Sequence, residues 1–137
     1  MSTAAGVAPV ASESVRTGYR QGVHHIVLTI PPGAQAQVRA FYGDVLGMTE
    51  VDEPHAGEGH GCHFRAGDLE FDLDVELGTR SPCHAHPGTV VADIDALAAR
   101  LAERGIAVEW DDKFPGYRRF YTRDPVGNRL QFLQQLP

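Results

Sequence analysis

Residues 118–133 read RRFYTRDPVGNRLQFL. The segments 118–122 and 130–133 are rich in aromatic and apolar residues and predict two strands. Asp124-Pro125-Val126-Gly127-Asn128 predicts the tight turn between them, because Pro presets φ while Gly and Asn accept backbone angles that other residues avoid. Side chains alternate along a strand, so Leu130 and Phe132 share one face and Gln131 takes the other. The same triplet pattern occurs earlier in the chain. Leu69, Glu70 and Phe71 precede Leu130, Gln131 and Phe132 by 61 residues, and His25 precedes His86 by the same 61.

Working outward, the whole chain reads as two copies of one βαβββ unit. In the first copy, residues 23–30 (VHHIVLTI) predict a strand that Pro31-Pro32-Gly33 ends. Residues 34–46 carry Val38, Phe41, Tyr42, Val45 and Leu46 at helical spacing, and Gly47 supplies the stop. Three strands follow at 48–51, 61–65 and 69–75, the last two joined through Ala66-Gly67-Asp68. In the second copy, residues 86–91 predict a strand. Asp93 then caps a helix through Ile94, Leu97, Ala98, Leu101 and Ala102 to Gly105. Strands at 106–110, 118–122 and 130–133 complete it. The helices do not keep the offset, since Gly47 and Gly105 are 58 apart, so the repeat carries an internal gap.

The chain has 137 residues, 42% hydrophobic and 22% charged, which suits one soluble domain with a substantial core. A net charge of −6 offers no basic footprint for nucleic acid or an anionic membrane, so a small molecule is the expected partner. No apolar run is long enough to cross a bilayer. Residues 1–21 show neither period nor signal-peptide pattern and are expected to form a disordered tail ahead of a single domain, residues 22–137. Its modules span about 22–78 and 84–136. Cys62 and Cys83 are expected to be reduced thiols of a cytoplasmic protein.

Alternation puts Ile26, Leu28 and Ile30 on the helix side of the first strand, with His25, Val27 and Thr29 opposite; His24 and His25 therefore cannot enter one pocket. Likewise Leu69, Phe71, Leu73 and Val75 oppose Glu70, Asp72 and Asp74. The equivalent positions His25, Glu70, His86 and Gln131 all lie away from the core. Two imidazoles, a carboxylate and an amide oxygen suit Zn, Ni, Co, Mn or Fe better than Mg or Ca. The plain alternative is a solvated sheet face.

The segments HHIVLTI, FYGDVLGM, LEFDL, HPGTVVADIDALAARL and FYTRDPVGNRLQF together resemble the vicinal oxygen chelate superfamily, which includes glyoxalases, bleomycin-binding proteins and extradiol dioxygenases. The resemblance covers residues 23–135. It implies an α+β fold in which two βαβββ modules form a curved eight-stranded mixed sheet around a cavity. It also implies a divalent metal held by His25, Glu70, His86 and Gln131. Relatives often dimerise, some with sites shared between chains, so a homodimer is expected. Gln131 stands where the family usually has Glu. Because an amide cannot take up a proton, Glu70 or Asp72 would have to serve as the catalytic base.

Two functions follow. The first is a metal-dependent enzyme of the glyoxalase-like type, an isomerase, epimerase, lyase or transferase acting on a small oxygen-rich molecule. The alternative is a metal-free antibiotic- or metabolite-sequestering protein of the bleomycin-resistance type. A structural zinc site among His60, Cys62, His63, Cys83, His84 and His86 is a weaker reading, for want of paired spacing. Tyr42 is expected to pack in the first helix, whereas Trp110, Tyr117 and Tyr121 suit a cavity wall. Of Arg118 and Arg119, only one can face the pocket and hold an anion.

Overall fold

A computed structural model describes residues 23–51, 61–78 and 85–137. Among the described residues, eight strands and three helical segments, two of them continuous, appear in the expected order. Strand β1 (His25–Ile30) leads to helix α1 (Gln35–Val38), which runs directly into a π-helical segment (Arg39–Val45). Strands β2 (Thr49–Val51), β3 (Cys62–Ala66) and β4 (Leu69–Val75) follow. The second module holds β5 (Gly88–Val90), α2 (Ile94–Glu103), β6 (Glu109–Asp111), β7 (Tyr117–Arg123) and β8 (Arg129–Gln135). The fold is α+β, built from two βαβββ modules. The expected tail, residues 1–21, lies outside the described residues.

The eight strands form two four-stranded mixed sheets, ordered β1-β4-β3-β2 and β5-β8-β7-β6, rather than one continuous sheet. In each, the first strand of the module runs parallel to the fourth, and the remaining pairings are antiparallel. Strands β1 and β5 are therefore edges, and each carries a well-exposed valine, Val27 at 49% and Val90 at 67%.

Local chemistry accounts for the helix ends. Asp93 Oδ1 accepts a hydrogen bond from Ala96 N at 3.0 Å, satisfying one of the free donors at the start of α2. At its other end Ile106 N donates to Leu101 O and Gly105 N to Ala102 O, with Gly105 at φ +70°. That double closure needs a left-handed residue, which glycine supplies without penalty. The first helix occupies the expected segment but winds with π geometry after Val38, and Leu46 N donates five residues back to Phe41 O.

One apolar core serves both modules. It joins Ile30, Val38, Tyr42, Phe64, Phe71 and Leu73 of the first with Ile94, Leu101, Phe120, Leu130 and Phe132 of the second. Tyr42 is fully buried, as expected, and its ring lies 5.6 Å from Phe64 and 5.9 Å from Phe71. Polar links then fix one module on the other. The Tyr42 hydroxyl donates to Asp124 Oδ2 (2.8 Å), Asn128 Nδ2 donates to Thr29 O (3.0 Å), and Arg100 Nε donates to Val45 O (2.9 Å). The Asp-Pro-Val-Gly-Asn turn is thus also a clamp. Asp124 accepts from Val126 N, Asn128 N and Asn128 Nδ2 as well as from Tyr42.

Candidate metal and ligand site

The alternation read from the sequence places the polar residues of the first sheet together. Register pairs His25 with Glu70 and Val27 with Asp72 across β1 and β4. Across β3 and β4 it pairs Arg65 with Glu70 and His63 with Asp72. Directly paired residues project to the same face, so His25, His63, Arg65, Glu70 and Asp72 share one surface, opposite Cys62, Phe64, Phe71 and Leu73. Glu70 and Asp72 are each only 8% exposed.

The cluster is tightly connected. His63 Nδ1 donates to Asp72 Oδ1 at 2.7 Å and lies 3.8 Å from Glu70 Oε2. Arg65 Nη2 donates to Glu70 Oε1 at 2.7 Å. His25 Nε2 is 3.8 Å from Asp72 Oδ2, and His25 Nδ1 meets His24 Nδ1 at 2.8 Å. Among the described residues, His63, Glu70 and Asp72 form the one grouping of three His, Cys, Asp or Glu whose ligand atoms all fall within 4.8 Å of one another. His25 borders that grouping and His86 stands outside it.

Burial first, and the neighbouring Glu70 carboxylate second, push the Asp72 carboxyl above its usual range, against a smaller pull from His63. Glu70 is held below its usual range, mainly by the Arg65 hydrogen bond and then by the one from Asp72. Two carboxylates held together while largely removed from water repel each other. A divalent cation would relieve that repulsion, and imidazole with carboxylate is the donor set transition metals favour. The residues present fit such an ion.

The second sheet carries the other half of the expected ligand set. Gln131 is 7% exposed, and its Oε1 accepts from His86 Nε2 at 2.8 Å. His86 does not open β5 as the sequence predicts; the strand starts at Gly88, and it is Gly88 that pairs with Gln131. Pro87 accounts for the delay, since it has no N–H to give the ladder, although its carbonyl accepts from Gln131 N. His86 still reaches Gln131 from outside the strand, through its Nε2. The His86 ring also sets its edge against Tyr121 at 5.2 Å.

His63, which its sequence neighbours tie to a zinc grouping with Cys62, belongs to this cluster instead. Counting back through the tight Ala66-Gly67-Asp68 turn would have set it opposite Asp72. The zinc grouping built on Cys62 and His63 fails, because these neighbours face opposite sides of β3 and Cys62 is a free thiol buried in the core. His60, Cys83 and His84 lie outside the described residues. Of the two arginines, Arg119 shares the face of Tyr121 and Gln131, while Arg118 turns to Trp110 and Asp95.

Paired βαβββ modules with polar residues gathered on the open sheet faces define the glyoxalase-like class of fold. The sequence profile of the Glyoxalase/Bleomycin resistance protein/Dioxygenase superfamily matches residues 22–132, and the chain belongs to that superfamily. A glyoxalase family protein from Bacillus anthracis is 36% identical, superposes with a TM-score of 0.80, and aligns over 86% of this chain and 98% of its own. An antibiotic binding protein from Streptomyces sp. CB03234 is 25% identical, with a TM-score of 0.65 over 86% of this chain and 100% of its own. Lactoylglutathione lyase from Agrobacterium tumefaciens shares the fold at 21% identity and a TM-score of 0.67, over 84% and 94% of the two chains. No curated protein matches by sequence. No helix among the described residues is long and apolar enough to cross a membrane.

Proposed function

We propose that this protein is a metal-dependent enzyme of the glyoxalase-like type, acting on a small oxygen-rich molecule by isomerase, epimerase, lyase or transferase chemistry. The observation that carries the reading is the grouping of His63, Glu70 and Asp72, whose ligand atoms lie within 4.8 Å of one another, with His25 beside it. In this reading a divalent ion is held by His25 and Glu70 of the first module and His86 and Gln131 of the second. When bound, it supplies Lewis-acid polarisation of a substrate oxygen. Asp72 then takes and returns the substrate proton at a carboxylate oxygen, a task closed to the Gln131 amide. The His63 hydrogen bond to Oδ1 orients that carboxylate.

The two halves of the ligand set belong to different sheets, and the proposal joins them across a homodimer. The open β1 edge of one copy, with Val27, would meet the open β5 edge of the other, with Val90. Unpaired edges bearing exposed apolar side chains favour such closure. A cytoplasmic setting, where Cys62 stays reduced, belongs to the same reading.

One observation favours the second reading, a metal-free protein that sequesters an antibiotic or metabolite. His86 Nε2 already spends its proton on Gln131 Oε1, so these two groups satisfy each other without an ion. The similarity to an antibiotic binding protein points the same way. Elemental analysis of untagged protein, purified without added metal, separates the two. Near-stoichiometric transition metal that is lost in the His25→Ala/His86→Ala double variant supports the enzyme. Absence of metal, with no thermal stabilisation on adding Zn, Ni, Co, Mn or Fe, supports the binder.

A further inference from the structure

A concave site lies at the end of the second sheet where β6 and β8 begin. A cavity of about 650 Å³ is lined there by Ile106, Val108, Glu109, Tyr121, Arg123 and Arg129. Strand register puts its charged and aromatic members on one face with Gln131: Glu109 pairs with Tyr121, Tyr121 with Gln131, and Arg123 with Arg129. The Tyr121 ring joins this cavity to the site already described. The His86 ring lies 5.2 Å from it, and the Arg129 guanidinium sits over it at 4.0 Å. The volume falls within the range of small-molecule sites.

Charge on this face is unbalanced at one point. Arg123 and Arg129 stand directly opposite one another on neighbouring strands, a placement that costs stability when the two charges are alike. Neither has a carboxylate partner among the described residues. Arg123 Nη1 donates to Gly127 O at 2.9 Å, within the adjoining turn. Arg129 rests on the Tyr121 ring and, among the described residues, makes no side-chain hydrogen bond or ion pair. Glu109 lies across from Tyr121 and forms no ion pair with either arginine. Further along the same face the charge of Arg119 is answered, with Asp111 Oδ2 at 3.3 Å. Arg123 is exposed and Arg129 half-buried, so their free N–H donors remain within reach of a ligand. In a chain of net charge −6, two adjacent guanidinium groups without a counter-charge, beside a cavity, make a local receptor for an anion.

We propose that Arg123 and Arg129 bind the oxyanion of a small ligand, a carboxylate or phosphate group, while the ligand's other oxygens lie at Gln131 and His86. Guanidinium groups match the geometry of both oxyanions and hold them by charge-assisted hydrogen bonds. Arg129 and Gln131 are two residues apart on one strand, roughly 7 Å along it, so a short-chain acid reaches both. The inference deepens the function proposed above by naming the ligand class as an anion. It rests on that reading only in placing the other end at Gln131 and His86. Anion binding by the arginines needs no metal ion, so it holds for an enzyme and for a sequestering protein alike.

The test uses the full chain, treated with chelator, and three probes that share vicinal hydroxyls. Glycerate adds a carboxylate, glycerol phosphate adds a phosphate, and glycerol carries no charge. Calorimetry is expected to show one or both anions binding at least about tenfold more tightly than glycerol, and the tighter anion identifies the oxyanion. Arg123→Gln and Arg129→Gln should each abolish that preference. Arg104→Gln, at the exposed C-cap of α2, should keep it, which separates a local site from a change in overall charge. Gln131→Ala should weaken both anions and glycerol together, leaving the preference in place. The proposal is overturned if neither anion binds at millimolar concentration, if glycerol binds as well as both, or if the preference survives both arginine variants. Equal loss in Arg104→Gln overturns it too, and unchanged affinity in Gln131→Ala overturns the placement of the ligand's other end. Zinc uptake is measured separately. Anion preference without zinc uptake removes only the metal reading, and zinc uptake without anion preference removes only the anion site.

Discussion

Removing the Tyr42 hydroxyl tests how the two modules are held together. Tyr42 is fully buried and Asp124 is 4% exposed, so their 2.8 Å contact is a charge-assisted hydrogen bond in a largely dry environment. Such bonds contribute about 1.5–3 kcal/mol. In Tyr42→Phe the ring keeps its packing on Phe64 and Phe71, and Asp124 keeps three N–H donors within its own turn, so the carboxylate is not orphaned. The loss should fall toward the low end, about 1.5–2 kcal/mol, which lowers Tm by roughly 6–8 °C for a domain of this size. Asp124→Ala removes the same bond and also frees the turn, so it should cost more. Urea unfolding of the wild type, both single variants and the double variant gives the coupling directly. A coupling of about 1.5 kcal/mol or more is expected. A value below roughly 0.5 kcal/mol, the additive limit, would refute the view that this turn acts as a clamp between modules.

Two further predictions concern the cluster and its neighbour. Asp72→Asn should stabilise the chelator-treated protein near neutral pH while leaving metal binding by His25, Glu70, His86 and Gln131 in place. The folded-state carboxyl of Asp72 is raised, so its ionised form costs stability, and that cost fades as pH falls through the folded-state titration. The gap between variant and wild type in urea melts should therefore close toward acid pH; a gap that stays constant or widens contradicts the assignment. Gln131→Ala should leave the fold intact but remove the 2.8 Å hydrogen bond between Gln131 and His86. Weaker metal or ligand binding with nearly unchanged thermal stability is expected, and unaltered binding would show that the His86–Gln131 pair is not part of the site.

Much of the architecture follows from patterns of short range. The offset between LEF and LQF, the period-two alternation and the turn residues give two βαβββ modules and the faces on which Glu70, Asp72 and Gln131 lie. Each depends on neighbours within a few residues, where steric rules act strongly. His63 was within reach of the same logic, because the tight turn after Ala66 dictates the β3–β4 register. Its adjacency to Cys62 drew attention to thiolate chemistry instead, although strand alternation sends the two apart.

Which side chains share a face is legible in the chain alone, for that is local backbone geometry. Tertiary structure alone decided that the strands divide into two sheets and that Pro87 delays β5, so that Gly88 rather than His86 pairs with Gln131. It also decided that Tyr42 meets Asp124 across 82 residues of chain. These outcomes depend on register and docking between distant segments, where the free energy belongs to the pair and neither partner's own sequence contains it.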